Sequence, residues 1–224
     1  KFRSYFNIHR LPSLSLLKVG GKEVTKQYVP SIKIAHGPGS ILPLTCAHQH
    51  LFSIDYLHEG GAHHWYIIPS SEREILQNLI DKQNSTSCLD HGQILIDPLM
   101  LDKYHIRYYR IIQQPNEFVI LSAGTIAQSF TEDISWSESI DFALPSWIRE
   151  GHANNSMSSC RCNISRSPLS KTVDISLFRD ELIQRYITSY LHPIIENQTI
   201  LSTGENSANV TSISSYNNQI SSSN

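Results

Sequence analysis

The stretch from Thr45 to Pro69 constrains the fold more than any other part of this chain. It contains two apolar runs, Phe52–Leu57 and Trp65–Ile68, separated by a Glu-Gly-Gly sequence at Glu59–Gly61. Apolar runs of this length on either side of a glycine-rich break are typical of two β-strands joined by a turn. We therefore predict a β-hairpin here.

The middle of the chain is predicted to be rich in β-structure with two inserted helices. One helix follows Ser71 and Glu74, which have the spacing of a capping box, and the other, Leu99–Tyr104, follows an Asp97-Pro98 cap. Further strands are predicted at Val29–Ile34, Tyr108–Ile112, Glu117–Ser122 and Ser137–Ala143. Strands of this kind, separated by turns, usually close into a sandwich or a barrel.

Composition limits the partners that the chain can have. The formal net charge is -2, so no overall basic field attracts DNA or an anionic membrane, and we expect no direct DNA binding. No apolar run approaches the roughly 18 residues needed to cross a bilayer, so no membrane partner is expected. The chain begins at Lys1, and we expect it to be a piece of a longer protein.

We predict three regions along the chain. Residues 1–150 form the β-rich core with an N-terminal helix, and residues 151–192 contain a Cys-x-Cys segment and a C-terminal helix. Residues 193–224 are mostly Ser, Asn, Thr and Gln, a composition that cannot bury enough apolar surface to fold, so we predict disorder there.

The four cysteines allow two interpretations. Cys46, Cys88, Cys160 and Cys162 could form two disulfides in a secreted protein, although the last two are too close together to pair easily with each other. Nothing else in the sequence indicates secretion. We therefore favour a reducing compartment in which thiols are available to a metal ion.

Seven short motifs occur in a fixed order along most of the chain. They are Asn7–Leu11 (NIHRL), Ser53–His58 (SIDYLH) with the following Trp65-Tyr66 and Pro69, Asp97–Tyr104 (DPLMLDKY), Glu117–Ile120 (EFVI), Ser137–Ala143 (SESIDFA), Trp147-Ile148 and Cys160-Arg-Cys162. In this order the motifs resemble the JmjC catalytic core of the histone lysine demethylases that pair a JmjN with a JmjC domain and act on trimethylated lysines of histone H3.

The resemblance implies a fold and a chemistry. The fold is mostly β with some α: a double-stranded β-helix, a jelly-roll or cupin-like JmjC barrel, with flanking helices and a zinc-tied C-terminal segment. The family holds Fe(II) with two histidines and one carboxylate, and it uses 2-oxoglutarate and O₂ to hydroxylate an N-methyl group. It also implies a nuclear protein whose partners are the histone H3 tail or proteins of a chromatin complex.

The residues at the family's iron positions cannot hold iron. Counting from the matched motifs, these positions are Thr45, Ala47 and Ala127. Alanine has no donor atom, and one neutral threonine hydroxyl is not a sufficient ligand set. The resemblance therefore implies a degenerate iron site.

The co-substrate positions also differ from the family. The asparagine and lysine that bind 2-oxoglutarate correspond to Asp55 and His63. Asp55 places a negative charge where a dianion should bind, and His63 is an often neutral replacement for lysine. The tyrosines of the methyl-lysine pocket correspond to Ser31 and Lys33, and Lys33 would repel a trimethylammonium group.

Nearby histidines leave one alternative open, an active demethylase with a relocated metal site. His48 and His50 lie three residues beyond the family's iron positions, about 10 Å farther along a strand. An odd shift also turns side chains to the opposite face of a strand unless a bulge intervenes. We expect His48 and His50 to be loop or outward-facing residues, and we expect His63 and His64 to point to opposite faces, with His64 towards solvent.

A structural zinc is implied by the resemblance. The family carries zinc outside its active site, and Cys88, His91, Cys160 and Cys162 are candidates for its four ligands. Three thiolates and one imidazole are a common tetrahedral zinc set. The alternative is a set of free thiols with a surface histidine.

Three functions are therefore considered. The first is a catalytically inactive JmjC scaffold, the second is a histone-binding module that uses the old substrate groove, and the third is the active dioxygenase with a relocated metal. Four acidic residues could give the groove affinity for a basic histone tail: Asp55, Glu59, Glu132 and Asp133. They could equally be ordinary solvated charges.

Overall fold

Two four-stranded antiparallel sheets form the core of the computed structural model, which describes residues 7–83, 89, 94–155 and 172–191. The first sheet has the strand order β1-β8-β3-β6, and the second has the order β2-β7-β4-β5. The strands are β1 (Ser31–Ala35), β2 (Ile41–Cys46), β3 (Phe52–Gly60), β4 (His63–Ile68), β5 (Tyr109–Gln113), β6 (Phe118–Leu121), β7 (Ile126–Thr131) and β8 (Ser135–Phe142). Strands that alternate between two sheets in this way make the predicted jelly-roll barrel.

The predicted β-hairpin is wrong, although both of its strands exist. β3 pairs with β6 and β8 in the first sheet, whereas β4 pairs with β5 and β7 in the second. The glycine-rich break is therefore a corner between the sheets. Gly60 and Gly61 fit there because each backbone approaches the chain near Ile134 closely, and the Gly61 N–H donates to the Ile134 carbonyl at 3.0 Å.

Short helices make up most of the other regular structure in the described residues. They are α1 (Leu11–Leu14), α2 (Lys22–Thr25), α3 (Arg73–Gln83), α4 (Pro98–Lys103), α5 (Pro145–Arg149), α6 (His152–Asn155) and α7 (Asp180–Tyr186), with shorter 3-10 turns at Ile8–Arg10, Leu16–Gly20, His48–His50, Ser70–Glu72 and Ile175–Leu177 and a π-helical turn at Ile187–Leu191. No described helix is both long enough and apolar enough to span a bilayer.

The two predicted inserted helices differ in outcome. The Asp97 cap is confirmed, because its carboxylate accepts a hydrogen bond from the Leu99 N–H at 2.9 Å at the start of α4. The capping box at Ser71 is wrong, because Ser71 lies within the 3-10 turn that precedes α3 and its hydroxyl instead accepts a hydrogen bond from Arg107.

Each sheet is covered on part of its outer face. Helices α3 and α4 pack on the second sheet, where buried leucines and isoleucines form one apolar cluster: Leu44, Ile68, Leu76, Leu79, Ile80, Leu101 and Ile126. The N-terminal segment packs Ile8 on the first sheet against Ile54, Ile140 and Phe142. Burial of this apolar surface holds the sheets in place, so their inner faces are free to carry polar residues.

A side chain next to the predicted iron positions anchors the C-terminal segment. Gln49 is buried, and its amide donates to the Val173 carbonyl at 3.1 Å and accepts from the Val173 N–H at 2.7 Å. The indole of Trp147 donates to the Gln49 carbonyl at 2.9 Å. The turn after β2 is therefore tied to two later parts of the chain.

Some predictions fall outside the described residues. These are the zinc ligands Cys88, His91, Cys160 and Cys162 and the disorder predicted for residues 193–224. The chain divides into two units, residues 1–184 and 185–224, and both sheets belong to the first. In the second unit the rings of Tyr186 and Tyr190 stack with centroids 5.4 Å apart.

Candidate functional site

Polar side chains fill much of the space between the two sheets. Ser129 and Thr131 on β7 and Ser135 and Ser137 on β8 are all buried. Alternate residues of a strand point to opposite faces, and the outer faces of these sheets carry the apolar clusters. Buried polar groups of this kind cost stability unless they are hydrogen-bonded.

The structure brings two of the three predicted iron positions together. Thr45 on β2 lies directly opposite Ala127 on β7 in the antiparallel pair, and Ala47 follows immediately after β2. Ala127 is buried and packs in a small apolar cluster with Trp65 and Val119. The only donor atom among the three side chains is the threonine hydroxyl, so the residues at this point do not fit Fe(II).

The neighbouring histidines do not supply the missing ligands. His48 and His50 lie in the 3-10 turn between β2 and β3, as expected for loop residues; His48 is exposed and His50 is buried. The Asp141 carboxylate accepts a hydrogen bond from the His48 N–H at 3.2 Å, and burial raises the pKa of Asp141 to about 6. Across the described part of the chain, no three or more His, Cys, Asp or Glu side chains are grouped so that they could hold a metal ion.

The predicted co-substrate position Asp55 belongs to a closed ring of four side chains. The Lys33 Nζ lies 3.0 Å from Asp55 Oδ2, and the Gln113 amide donates to the Asp55 carbonyl at 3.2 Å. The Trp65 indole donates to Gln113 Oε1 at 2.8 Å, and Lys33 Nζ closes the ring 5.9 Å from the Trp65 ring centroid. Two of these residues come from each sheet, so we call this set the cross-sheet ring.

The cross-sheet ring neutralises the negative charge of Asp55, the charge that we expected to repel 2-oxoglutarate. Asp55 is almost completely buried, and its Oδ2 also accepts from the Ser137 hydroxyl at 3.3 Å. A buried carboxylate is tolerated when an opposite charge and several donors surround it. Asp55 and Lys33, which the sequence presents as two separate losses, are therefore one ion pair.

The second co-substrate position is a neutral histidine. His63 has one side-chain hydrogen-bond partner: its Nε2 lies 2.8 Å from the Ser135 hydroxyl. Its Nδ1 has no hydrogen-bond partner among the described residues. Burial lowers the pKa of His63, opposed by Asp55 and assisted by Lys33. A neutral imidazole cannot replace the charge of the family's lysine.

His63 gives the protein a pH dependence that can be measured. Its folded pKa is below the ordinary value of 6.5, so as pH falls through 6.5 the unfolded chain takes up a proton that folded His63 resists, and stability falls. The contribution is fully present above pH 6.5. Asp141 acts in the opposite direction, because its raised pKa favours the fold as pH falls below about 6.

We therefore expect the urea midpoint of the wild type minus that of His63→Gln to be larger at pH 7.5 than at pH 5.5. Both proteins retain Asp141, so the difference between them isolates His63. A difference that is the same at both pH values would contradict this assignment.

The acidic residues that could attract a histone tail do not form one surface. Asp55 is buried in the cross-sheet ring and cannot contact a ligand outside the barrel. Glu59 accepts from the Trp136 indole at 2.9 Å, and Glu132 contacts His64 at 2.6 Å. His64 is partly buried, with 18% of its side chain exposed, and it points to the face of β4 opposite to buried His63, as the alternation predicts.

An open cleft lies beside the predicted iron positions. It has a volume of about 520 Å³, and two of its lining residues, Ile67 and Leu121, also pack against the cluster that contains Ala127. Arg107, Glu150 and His152 give it polar groups, and Glu150 and His152 contact each other at 3.2 Å.

Comparisons with known proteins agree with this architecture. A sequence model of the family described as "JmjC domain, hydroxylase" matches residues 35–142. The chain is 30% identical over 142 residues to "Lysine-specific demethylase 4B" of Mus musculus, which covers 61% of this chain and 13% of that protein. It is 28% identical over 162 residues to "Probable lysine-specific demethylase 4F" of Homo sapiens, covering 66% of this chain and 25% of that protein.

A third relative extends the comparison beyond proteins named as demethylases. The chain is 34% identical over 108 residues to "Protein Jumonji" of Gallus gallus, covering 46% of this chain and 9% of that protein. The matched regions are thus a quarter or less of each of these three relatives. The family match covers β2 to β8, all but one of the strands of the barrel, and the chain therefore contains a JmjC domain, as its motifs predict.

Proposed function

We propose that this JmjC domain is a catalytically inactive relative of the Fe(II)- and 2-oxoglutarate-dependent histone lysine demethylases. The observation that carries the proposal is the pairing of Thr45 with Ala127 across β2 and β7. In a 2-His-1-carboxylate centre the ligands must converge on one metal ion, and here facing positions offer one hydroxyl and one methyl group. No iron-dependent step can start from that pair of side chains.

The cross-sheet ring supports the same proposal from the co-substrate side. The Asp55 carboxylate already neutralises the Lys33 ammonium, so an entering dicarboxylate would meet a neutral ion pair rather than a cation. His63 adds no positive charge, because burial keeps it neutral. The iron positions and the co-substrate positions are thus both unsuited to the family's reaction.

The alternative, an active demethylase with a relocated metal site, has less support. His48 is exposed and His50 is buried, so the two imidazoles do not share an environment. Asp141 already accepts a hydrogen bond from the His48 N–H at 3.2 Å, and the described residues contain no group of three or more His, Cys, Asp or Glu side chains that could hold a metal ion.

For the role that remains we propose a nuclear scaffold or histone-binding module of a chromatin complex. The cleft beside Ala127 could hold a segment of the histone H3 tail or of a partner protein without modifying it. We also propose that Cys88, His91, Cys160 and Cys162 bind one structural zinc ion, since three thiolates and an imidazole suit that metal. Such a zinc would contribute to stability and not to the reaction.

One experiment tests the proposal directly. The purified chain is analysed for bound metals and assayed for succinate formation with 2-oxoglutarate and methylated H3 peptides. We expect about one zinc per chain, no iron and no turnover. Iron bound by the wild type, or succinate produced above the level of a peptide-free control, would contradict the proposal.

A restoration series tests the positions themselves. The triple variant Thr45→His, Ala47→Glu, Ala127→His should bind Fe(II), because it places two imidazoles and a carboxylate where the family has them. The matched control carries Gln instead of Glu at position 47, which keeps the shape and removes the charge, and it should bind at least tenfold more weakly. If the triple variant is folded and binds no better than its control, the three positions are wrongly assigned.

A further inference from the structure

Four rings lie side by side on the outer face of the first sheet. Trp136 on β8 stacks on His58 with ring centroids 3.7 Å apart, and His58 meets Tyr56 at a steep angle with centroids 4.6 Å apart. Tyr56 in turn lies 4.5 Å from Phe118 on β6. The rings come from three neighbouring strands, β8, β3 and β6, and we call the four residues the aromatic ladder.

The aromatic ladder faces away from the interior of the barrel. Ser137, which follows Trp136, is buried and points inwards, so the alternation along β8 turns Trp136 outwards. On the edge strand β1, Ile34 lies directly opposite Trp136, and Ile32 shares the face of Ile34 by the same alternation. The outer face thus carries one apolar band that crosses all four strands.

This band is exposed, although the other half of the same sheet face is covered. In the covered half the N-terminal segment packs Ile8 on Ile54. In the half that carries the ladder, Ile32 and Ile34 are 64% and 62% exposed, and Phe118 is 42% exposed. A contiguous exposed apolar patch of this kind marks an interaction surface.

Two carboxylates border the ladder. Glu59 is exposed, and its Oε1 accepts a hydrogen bond from the Trp136 indole at 2.9 Å. Glu138 lies 3.4 Å from His58 and 2.9 Å from His9. A carboxylate has about four acceptor sites, so the exposed Glu59 has capacity for an incoming donor. Rings beside a carboxylate suit a guanidinium, because it stacks on aromatic faces and binds carboxylates through its planar fork.

The dimensions of the patch favour a short partner segment over a second copy of the chain. Four strands about 4.8 Å apart are roughly 19 Å wide, and four residues along a strand span about 13 Å, which gives an area on the order of 250 Å². A standard dimer interface needs roughly 800 Å² on each copy. An extended segment of six residues is about 20 Å long and matches the width of the patch.

We propose that the aromatic ladder, together with Ile32 and Ile34, binds an extended segment of a partner protein with the pattern apolar-x-Arg-x-apolar. Alternate residues of such a segment face the sheet, and its two apolar side chains are about 13 Å apart, close to the distance from β1 to β6. They cover Ile34 and Phe118, while the guanidinium stacks on the rings and pairs with Glu59. The surface shares no residue with the iron positions, the co-substrate positions or the cleft, so the inference goes beyond the proposed function and does not depend on it.

The test titrates the full chain with the acetylated and amidated peptide Thr-Leu-Thr-Arg-Thr-Leu-Thr and follows tryptophan fluorescence. Trp65 and Trp147 are at most 5% exposed, so Trp136 is the one of the three tryptophans that can respond to a ligand on this face. We expect a saturable change with a Kd below about 1 mM. Ile34→Ser and Phe118→Ser should each weaken binding by about tenfold. The anisotropy of a dye-labelled peptide gives the same Kd without relying on Trp136.

Matched controls test the place and the charge. Ile112→Ser should bind like the wild type, because Ile112 is similarly exposed, at 55%, but lies on the outer face of the second sheet. A peptide with citrulline in place of arginine keeps the shape and loses the charge, and it should bind about fivefold more weakly. Glu59→Gln should weaken binding of the arginine peptide by a similar factor.

Several outcomes would overturn the inference. These are no saturable binding below about 1 mM, equal binding by Ile34→Ser and Ile112→Ser, and equal binding of the citrulline and arginine peptides. A dimer of the peptide-free chain that is lost in Ile34→Ser would show that a second copy occupies the face. Binding that occurs only after removal of residues 1–6 would show that the chain's own segment does so. If Ile34→Ser does not fold, Ile32→Ser on the same face takes its place.

Discussion

Lys33→Met is expected to destabilise the protein by about 2–4 kcal/mol, because it leaves Asp55 as a buried carboxylate without its counter-charge. The Asp55 side chain is 4% exposed and that of Lys33 is 32% exposed, so the effect should lie towards the lower part of the range for buried pairs. Methionine keeps most of the length and the apolar stem of lysine, so the loss reports mainly the charge. The measurement is the free energy of unfolding from urea titration at pH 7.5.

Two further variants test whether the loss of stability in Lys33→Met comes from the cross-sheet ring. Lys26→Met breaks the exposed Lys26–Glu23 pair and should change stability within experimental error, because exposed pairs contribute little. Lys33→Met combined with Asp55→Leu removes both charges and should recover at least half of the loss. If Lys33→Met is no more harmful than Lys26→Met, the Lys33–Asp55 ion pair within the first sheet does not stabilise the fold.

The barrel could be predicted from the sequence, but its strand pairing could not. The apolar runs that become β3 and β4 are visible as local alternation, so both strands were expected in nearly the right places. Their partners are strands up to about 80 residues away, such as β8 for β3, and local patterns carry no information about such pairing. A glycine-rich segment can form either the turn of a hairpin or the connection between strands of two different sheets, so it does not distinguish the two.

Site positions that are counted from the motifs could be proposed from the sequence. Contacts that depend on which strands lie side by side could not. Counting from the motifs assigned Thr45 and Ala127 to the same centre, and the structure places them directly opposite each other. Lys33 and Asp55 are 22 residues apart, and only the strand order reveals that both point inwards. The one signal in the sequence is a charged residue at an inward position on each of two strands, and it does not reveal that the two charges form an ion pair. Gln113, which joins the two sheets, gave no signal at all.

Gly60→Ala is expected to be among the most harmful single substitutions in the barrel, with a loss of at least about 3 kcal/mol. Gly60 ends β3 at the corner between the sheets and has a φ of 103°, a conformation that residues with a side chain rarely adopt. A Cβ at this position would lie 2.1 Å from the Ile134 carbonyl oxygen and 2.5 Å from the Ser135 Cα. Both atoms belong to the backbone of β8 or the residue before it, so relief requires β3 and β8 to separate.

Gly21→Ala is the matched control for this substitution. Gly21 has a similar φ of 89°, but a Cβ there would meet no atom within 4 Å. Its cost should therefore be only the conformational term of about 1–2 kcal/mol. The difference between the two variants in urea unfolding measures the close approach at the corner. Equal losses would show that the chain accommodates a methyl group at Gly60 and that the corner does not depend on glycine for space.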